Sequence, residues 1–232
     1  MSLQLNSRSA PILCYVTDRR SLSPSAPTFE SLLAKIETAI AAGVDWIQLR
    51  EKDLSAKECA SLTGVAVELS SKSASNDSRT KILPNDRLDI AIAQNASGVH
   101  LGEQSLPVQQ AKNLARQLRA SNNLPFLVGA SCHSLNTTQA AATSGADYLI
   151  FGPVFETPSK LRFGPAQGLD RLAQICEAVA IPVLAIGGIT LQNAPQCLGA
   201  GAAGIAAIRL FQDPSAAELP GLVRALHALP LR

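Results

Sequence analysis

The sequence predicts an α/β protein of the (β/α)8 TIM-barrel class, folded as a single domain. Strand-like and helix-like segments alternate about eight times along its 232 residues, at the spacing of βα units. The strand-like runs are continuously apolar, as in a parallel sheet covered on both faces. No Gly-x-Gly-x-x-Gly follows any strand, which favours a closed barrel over an open doubly wound sheet.

The elements follow in order. Residues 1–10 are polar and read as a flexible N-terminus ahead of a domain spanning 11–232. A first strand covers 12–17, and a Ser/Pro-rich loop runs from Asp18 to Pro27. Phe29, Leu32, Leu33, Ile36 and Ile40 form a helical stripe that Gly43 ends. Strand 46–49 leads into Arg50-Glu51-Lys52, and a helix covers about 55–69. The Ser-, Asn- and Asp-rich stretch 70–79 reads as a mobile insertion. Strand 81–84 leaves through Asn85-Asp86-Arg87 into a brief helix, 88–93. Strand 98–101 precedes Gly102-Glu103-Gln104-Ser105, and Pro107 opens a helix to about 118. Strand 126–130 ends at Ser131-Cys132-His133, and helix 135–143 leads into strand 146–151. A helix follows over 169–179. Strand 182–186 stops at Gly187-Gly188, and the next helix starts near Thr190. Strand 204–208 ends at Arg209, and one last helix reaches about 228.

Composition narrows the function classes. Hydrophobic residues make up 47% and aromatic ones 4%, so the core is expected to be aliphatic. A net charge of +2 is too small to point to nucleic acid. The five cysteines are scattered without metal spacing, which suits a reducing compartment. No leader-like h-region and no membrane-length apolar run is present. A cytoplasmic protein that binds neither membrane nor nucleic acid is expected, and assembly into a homo-oligomer is left open.

Polar residues gather after the strands, on the face where barrels carry their sites. The loop Gly152-Pro153-Val154-Phe155-Glu156-Thr157-Pro158-Ser159-Lys160 is the densest such cluster. Gly152 would let a ligand near the backbone, while Thr157, Ser159 and Lys160 suit an anion such as phosphate. Gly187-Gly188 and Ile208-Arg209 end the last two strands, where barrel loops commonly bind phosphate; a mere tight turn is the alternative. In extended chain Arg50 and Lys52 would point together, opposite Glu51, and suit a polyanion. Asp86 could hold Mg2+ or cap the following helix. His100 is expected to pack inside its strand. Ser131 and His133 are expected to face the pocket, with His133 able to shuttle protons, while Cys132 points away.

Taken together, Gln48-Leu49-Arg50-Glu51-Lys52, Asn85-Asp86-Arg87, Gly98-Val99-His100-Leu101-Gly102, Ser131-x-His133, Gly145-Ala146-Asp147-Tyr148, the 152–160 loop and Ala185-Ile186-Gly187-Gly188-Ile189 resemble the thiamine phosphate synthase/TenI family. The motifs occur in the family's order over nearly the whole chain. The resemblance implies a transferase of thiamine biosynthesis. Hydroxymethylpyrimidine pyrophosphate would lose pyrophosphate, and the nitrogen of thiazole phosphate would capture the resulting cation. It assigns Gln48, Arg50, Lys52, Asn85 and Lys160 to the pyrophosphate substrate, with Arg50, Lys52 and Lys160 acting on the leaving group. It gives Mg2+ to Asp86, the pyrimidine to Ser131, and the thiazole phosphate to Thr157, Ser159, Gly187, Gly188, Ile208 and Arg209.

Two departures stand out. A second metal carboxylate is usual where this chain has Ser105, for which Glu103 is a candidate replacement, and a small residue is usual at Arg209. The TenI branch, a thiazole tautomerase, lacks the full metal pair and uses a His matching His133. A synthase is the expected activity, a His133-dependent tautomerase the alternative, and a non-catalytic sensor of phosphate ligands the third.

Overall fold

The computed structural model describes residues 9–22, 28–73, 79–119, 124–156 and 165–232. Thr157, Ser159 and Lys160, the extreme N-terminus and residues 74–78 of the 70–79 insertion lie outside these residues. Eight parallel strands line a barrel: β1 (Ile12–Val16), β2 (Trp46–Leu49), β3 (Lys81–Pro84), β4 (Gly98–Leu101), β5 (Leu127–Cys132), β6 (Tyr148–Phe151), β7 (Val183–Ile186) and β8 (Gly204–Ala207). The hydrogen-bonded order runs β3-β2-β1-β8-β7-β6-β5-β4. The two end strands then meet through an Asn85–His100 bridge, where the Asp86 N–H donates to the His100 carbonyl at 2.8 Å. The barrel is therefore nearly closed, and the thin seam lies between β3 and β4.

Local sequence explains the helices around it. In α2 (Phe29–Ala42), Thr28 accepts from the Ser31 N–H and Gly43 ends the helix at φ +87°. In α3 (Ala56–Lys72), Ser55 and Glu58 form a capping box. The other long helices are α5 (Val108–Leu118), α6 (Leu135–Thr143), α7 (Gly168–Ala178) and α10 (Leu219–His227), and α4 (Leu88–Ala93) and α8 (Ala194–Gly199) are short. Among the described residues, no helix is long and apolar enough to cross a membrane.

Several boundaries differ from expectation. The loop expected after β1 begins with a helical turn, α1 (Arg19–Leu22). Helix α3 outlasts its predicted end, and the Ser70 hydroxyl donates to the Thr80 carbonyl at 2.6 Å, drawing both sides of the insertion together. Strand β5 includes Ser131 and Cys132, whose partners on β6 are Ile150 and Phe151. The single C-terminal helix is two, α9 (Arg209–Gln212) and α10, because Pro214 follows α9 and Ser215 and Glu218 cap each other between them.

The core has two layers. One lies between strands and helices. The other fills the barrel and includes Ile12, Cys14, Val16, Trp46, Leu83, Leu127, Tyr148, Ile150 and Leu184. Here Trp46 and Tyr148 meet edge-on at 4.6 Å. Gly129 clears the space for Tyr148, since a Cβ there would lie 2.0 Å from the tyrosine Cζ. At the strand starts, Asp45 and Asp147 accept the N–H groups of Leu13 and Val128 at 2.9 and 2.7 Å.

At the other end, β1 is clamped to its neighbours. Tyr15 donates to Gln212 at 2.8 Å, and the Gln212 amide donates to the Asp18 carbonyl and the Ser21 hydroxyl. Arg19 makes a fork of two 2.6 Å bonds to Asp53 and a third bond, of 3.1 Å, to Glu51. Arg20 adds a contact to Asp53 at 2.8 Å. The Arg19 guanidinium holds the Asp53 carboxyl well below the usual carboxylate range.

Two outcomes are expected. Gly129→Ala should lower stability by about 1–3 kcal/mol or more through overpacking against Tyr148. An unchanged urea midpoint would contradict the packing. Asp53→Asn should cost about 1 kcal/mol, since the clamp is partly exposed. The Asp53 pKa is depressed on folding, so its contribution is complete above a pH of about 4 and disappears as the pH falls through the folded value. Urea melts of both proteins should therefore converge in acid, and a gap that widens there would contradict the sign.

Candidate active site

The C-terminal strand ends carry a connected polar floor. Gln48, 3% exposed, donates to the Asn85 side-chain oxygen at 2.7 Å. The Asn85 amide donates to Asp86 Oδ2 at 2.6 Å. Asp86 Oδ1 accepts the Gly102 N–H at 2.8 Å and the Ser105 hydroxyl. Asp86 turns its carboxylate this way from a left-handed backbone, at φ 62°. It is not the helix cap: Arg87 holds the N-cap position of α4, and no side chain caps that helix.

This arrangement bears on metal binding. A carboxylate has about four lone-pair directions, and protein donors take three of those on Asp86. Among the described residues, no group of three or more His, Cys, Asp or Glu side chains is placed to hold a metal ion. The donor set fits Mg2+ only as a one-carboxylate site completed by water and ligand oxygens. Glu103, the candidate second ligand, accepts the His133 N–H at 2.9 Å through Oε1.

Lys52, Asn85, Asp86 and Arg87 line one cavity of about 310 Å³. The Arg50 N–H donates to the Thr17 hydroxyl at 3.0 Å, and its charge acts on His100 nearby. Strand β2 ends at Leu49 and Lys52 lies in a turn, so strand alternation does not set its direction. Glu51 is buried and accepts the Arg19 N–H, a role the sequence did not reveal.

Between this floor and the far side lie β4, β5 and β6. His100 packs as expected, with Nδ1 3.1 Å from the Tyr148 hydroxyl and Nε2 2.9 Å from the Ser131 hydroxyl. Burial pushes its pKa down to about 4, so the ring is neutral near pH 7. Ser131 is half-buried, and its tie to His100 was not legible in the sequence. His133 Nδ1 lies 2.6 Å from the Gly152 carbonyl, so that nitrogen carries the proton and Nε2 is left as the acceptor. Cys132 is buried, and desolvation pushes its thiol up to about 11, which leaves it a poor nucleophile.

Opposite the floor, Gly187, Gly188, Ile208 and Arg209 line a cavity of about 760 Å³. Glu156, Asp213 and Glu218 also border it. The glycine pair has φ +101° and +64°, and more than a tight turn requires it. A Cβ at Gly187 would lie 2.6 Å from Pro153 Cα, and one at Gly188 2.5 Å from the Glu156 carbonyl oxygen. Helix α9 starts at Arg209 beside this turn, and the Phe211 and Gln212 N–H groups donate to the Ile208 carbonyl. The expectation for Gly152 is corrected. A Cβ there would lie 2.0 Å from the Ile186 carbonyl oxygen, so the neighbouring strand, not a ligand, requires that glycine.

Comparison with known proteins agrees with this architecture. The thiamine monophosphate synthase family model matches residues 13–211. A Geobacter sulfurreducens protein is 41% identical over 94% of this chain and 93% of its own. A thiamine-phosphate synthase of Roseiflexus is 35% identical over 94% of this chain and 84% of its own. The solved structure of thiamine phosphate pyrophosphorylase from Pyrococcus furiosus superposes with a TM-score of 0.74 at 32% identity, over 94% of this chain and 95% of that one. Motifs, barrel and relatives agree, and the chain belongs to the thiamine monophosphate synthase family.

Proposed function

We propose that the protein is a thiamine-phosphate synthase, joining hydroxymethylpyrimidine pyrophosphate to thiazole phosphate with release of pyrophosphate. The observation that carries this is the division of the barrel mouth. The Gln48–Asn85–Asp86–Ser105 chain and Lys52 stand at the exits of β2 to β4, and the Gly187–Gly188 turn stands at β7 and β8. One end suits a pyrophosphate and the other a phosphate monoester.

In this reading, the bond between the pyrimidine methylene and the pyrophosphate oxygen breaks. The electron pair leaves with the oxygen, and the thiazole nitrogen then bonds to the methylene carbon. Arg50, Lys52 and Lys160 stabilise the departing charge, and no nucleophile or base is needed at the reacting carbon. Gln48 and Asn85 orient the pyrophosphate end, and Ser131 contacts the pyrimidine. Thr157, Ser159, Gly187, Gly188, Ile208 and Arg209 hold the thiazole phosphate. Asp86 would hold Mg2+, which when bound neutralises pyrophosphate charge.

Purified protein given both substrates and Mg2+ should form thiamine phosphate, and none formed would refute the reading. Arg50→Ala and Lys160→Ala should each lower kcat/KM by about 100-fold or more, with stability changed by no more than about 0.5 kcal/mol for the lysine. Calorimetric titration should show weak Mg2+ binding to the free protein and clear binding once pyrophosphate is present. Tight binding to the free protein that is lost in Glu103→Gln would instead give Glu103 the second ligand position.

One observation favours the tautomerase reading as a second activity: the proton on His133 Nδ1 leaves Nε2 as a proton acceptor at the mouth. His133→Asn should abolish isomerisation of the thiazole carboxylate phosphate if that reading holds, and should spare the coupling reaction.

A further inference from the structure

The barrel interior holds a hydrogen-bonded line that ends at a half-buried hydroxyl near the C-terminal end of β5: the Tyr148 hydroxyl, the His100 ring and the Ser131 hydroxyl. Each ring nitrogen of His100 meets a hydroxyl, and the ring is fully buried. A neutral imidazole carries one N–H, so the protons along this line can run in only two orders.

In one order, Ser131 donates to Nε2 and the ring donates from Nδ1 to Tyr148. The phenol proton would then be stranded in the core. Tyr148 is completely buried, and its hydroxyl has no other hydrogen-bond partner among the described residues. A buried donor left without a partner loses its hydration and gains nothing in return. In the other order, the phenol, a better donor than an alkyl hydroxyl, gives its proton to Nδ1. The ring then donates from Nε2 to Ser131, and no proton is stranded.

The second order has a consequence at the barrel mouth. Ser131 accepts from His100, so its own proton is not used inside the barrel and is free for a ligand. We infer that Tyr148 and His100 are positioning residues that fix the Ser131 hydroxyl as a donor to a ring nitrogen of an aromatic heterocycle. This rests on the synthase reading for the identity of that heterocycle, the pyrimidine. The line leaves the Ser131 proton available to a ring acceptor, which the opposite order would deny it. Gly129, by clearing room for Tyr148, keeps the phenol at the distance the line needs.

The tautomer can be read directly. Long-range proton–nitrogen NMR correlations on protein labelled at its three histidines, with His100 assigned by its loss in His100→Asn, should show the proton on Nε2. A proton on Nδ1 would overturn the inference. This measurement needs no substrate, so it stands even if the coupling assay fails and the synthase reading falls. The kinetic arm tests action through Ser131. Tyr148→Phe should raise KM for the pyrimidine pyrophosphate by about tenfold with little change in kcat, as expected for one hydrogen bond. In a Ser131→Ala background the same change should add nothing. An unchanged KM, or an equal loss in both backgrounds, would reduce Tyr148 to a packing role.

Discussion

A barrel of strands only four to six residues long holds together only if its interior is filled. Here the filling depends on the contact of Trp46 with Tyr148, from strands on opposite sides of the barrel. Two large rings occupy the centre, Gly129 yields volume to one of them, and aliphatic side chains close the gaps. With the lower barrel solid, the upper layer is free to be polar. Gln48, Asn85, His100 and Ser131 sit above the rings and satisfy one another or their neighbours. A floor whose members hold one another is preorganised, and a ligand that binds it need not order it.

The thin seam between β3 and β4 lies under this floor. The seam's bridge joins Asn85 and His100, and the Asp86 N–H bond to His100 lies beside it. The side chains of the same three residues belong to the polar network. Where the backbone ladder is shortest, the Asp86–Gly102 and Asp86–Ser105 bonds supplement it across the same gap. Barrel closure and site geometry therefore share atoms, which gives Ser105 a structural role whatever else binds there.

The fold was legible because each strand is a short apolar run bounded by turn residues, and because Gly43 stops its helix locally. The order of the mouth residues was legible as motifs. Contacts set by register between distant strands were not. Nothing near Ser131 in sequence announces His100, and nothing near Tyr15 announces Gln212, 197 positions away. Glu51 sits in a charged motif yet turns inward to Arg19, and Glu103 accepts the His133 N–H from a strand away. The left-handed backbone of Asp86, which removes it from the helix cap, follows from its bonds to Gly102 and Ser105. The apparent ligand glycine, Gly152, answers to its neighbour strand. Such assignments need distances between strands, which composition and spacing do not contain.

The aspartates that tether the strand starts occur twice, four strands apart, each preceded by a glycine in a left-handed turn: Gly43 before Asp45, and Gly145 before Asp147. Each is followed at once by a large ring, Trp46 or Tyr148, and these are the two rings that meet in the centre. The chain can thus be viewed as two four-stranded halves, each delivering one aromatic residue to a shared axis. The halves are alike below and have diverged above. The first presents amide, carboxylate and cationic side chains, whereas the second presents a glycine turn and the start of a short helix. Substitutions in the upper layer of one half can then alter what that half offers a ligand while the common lower scaffold, and the other half's offer, stay in place.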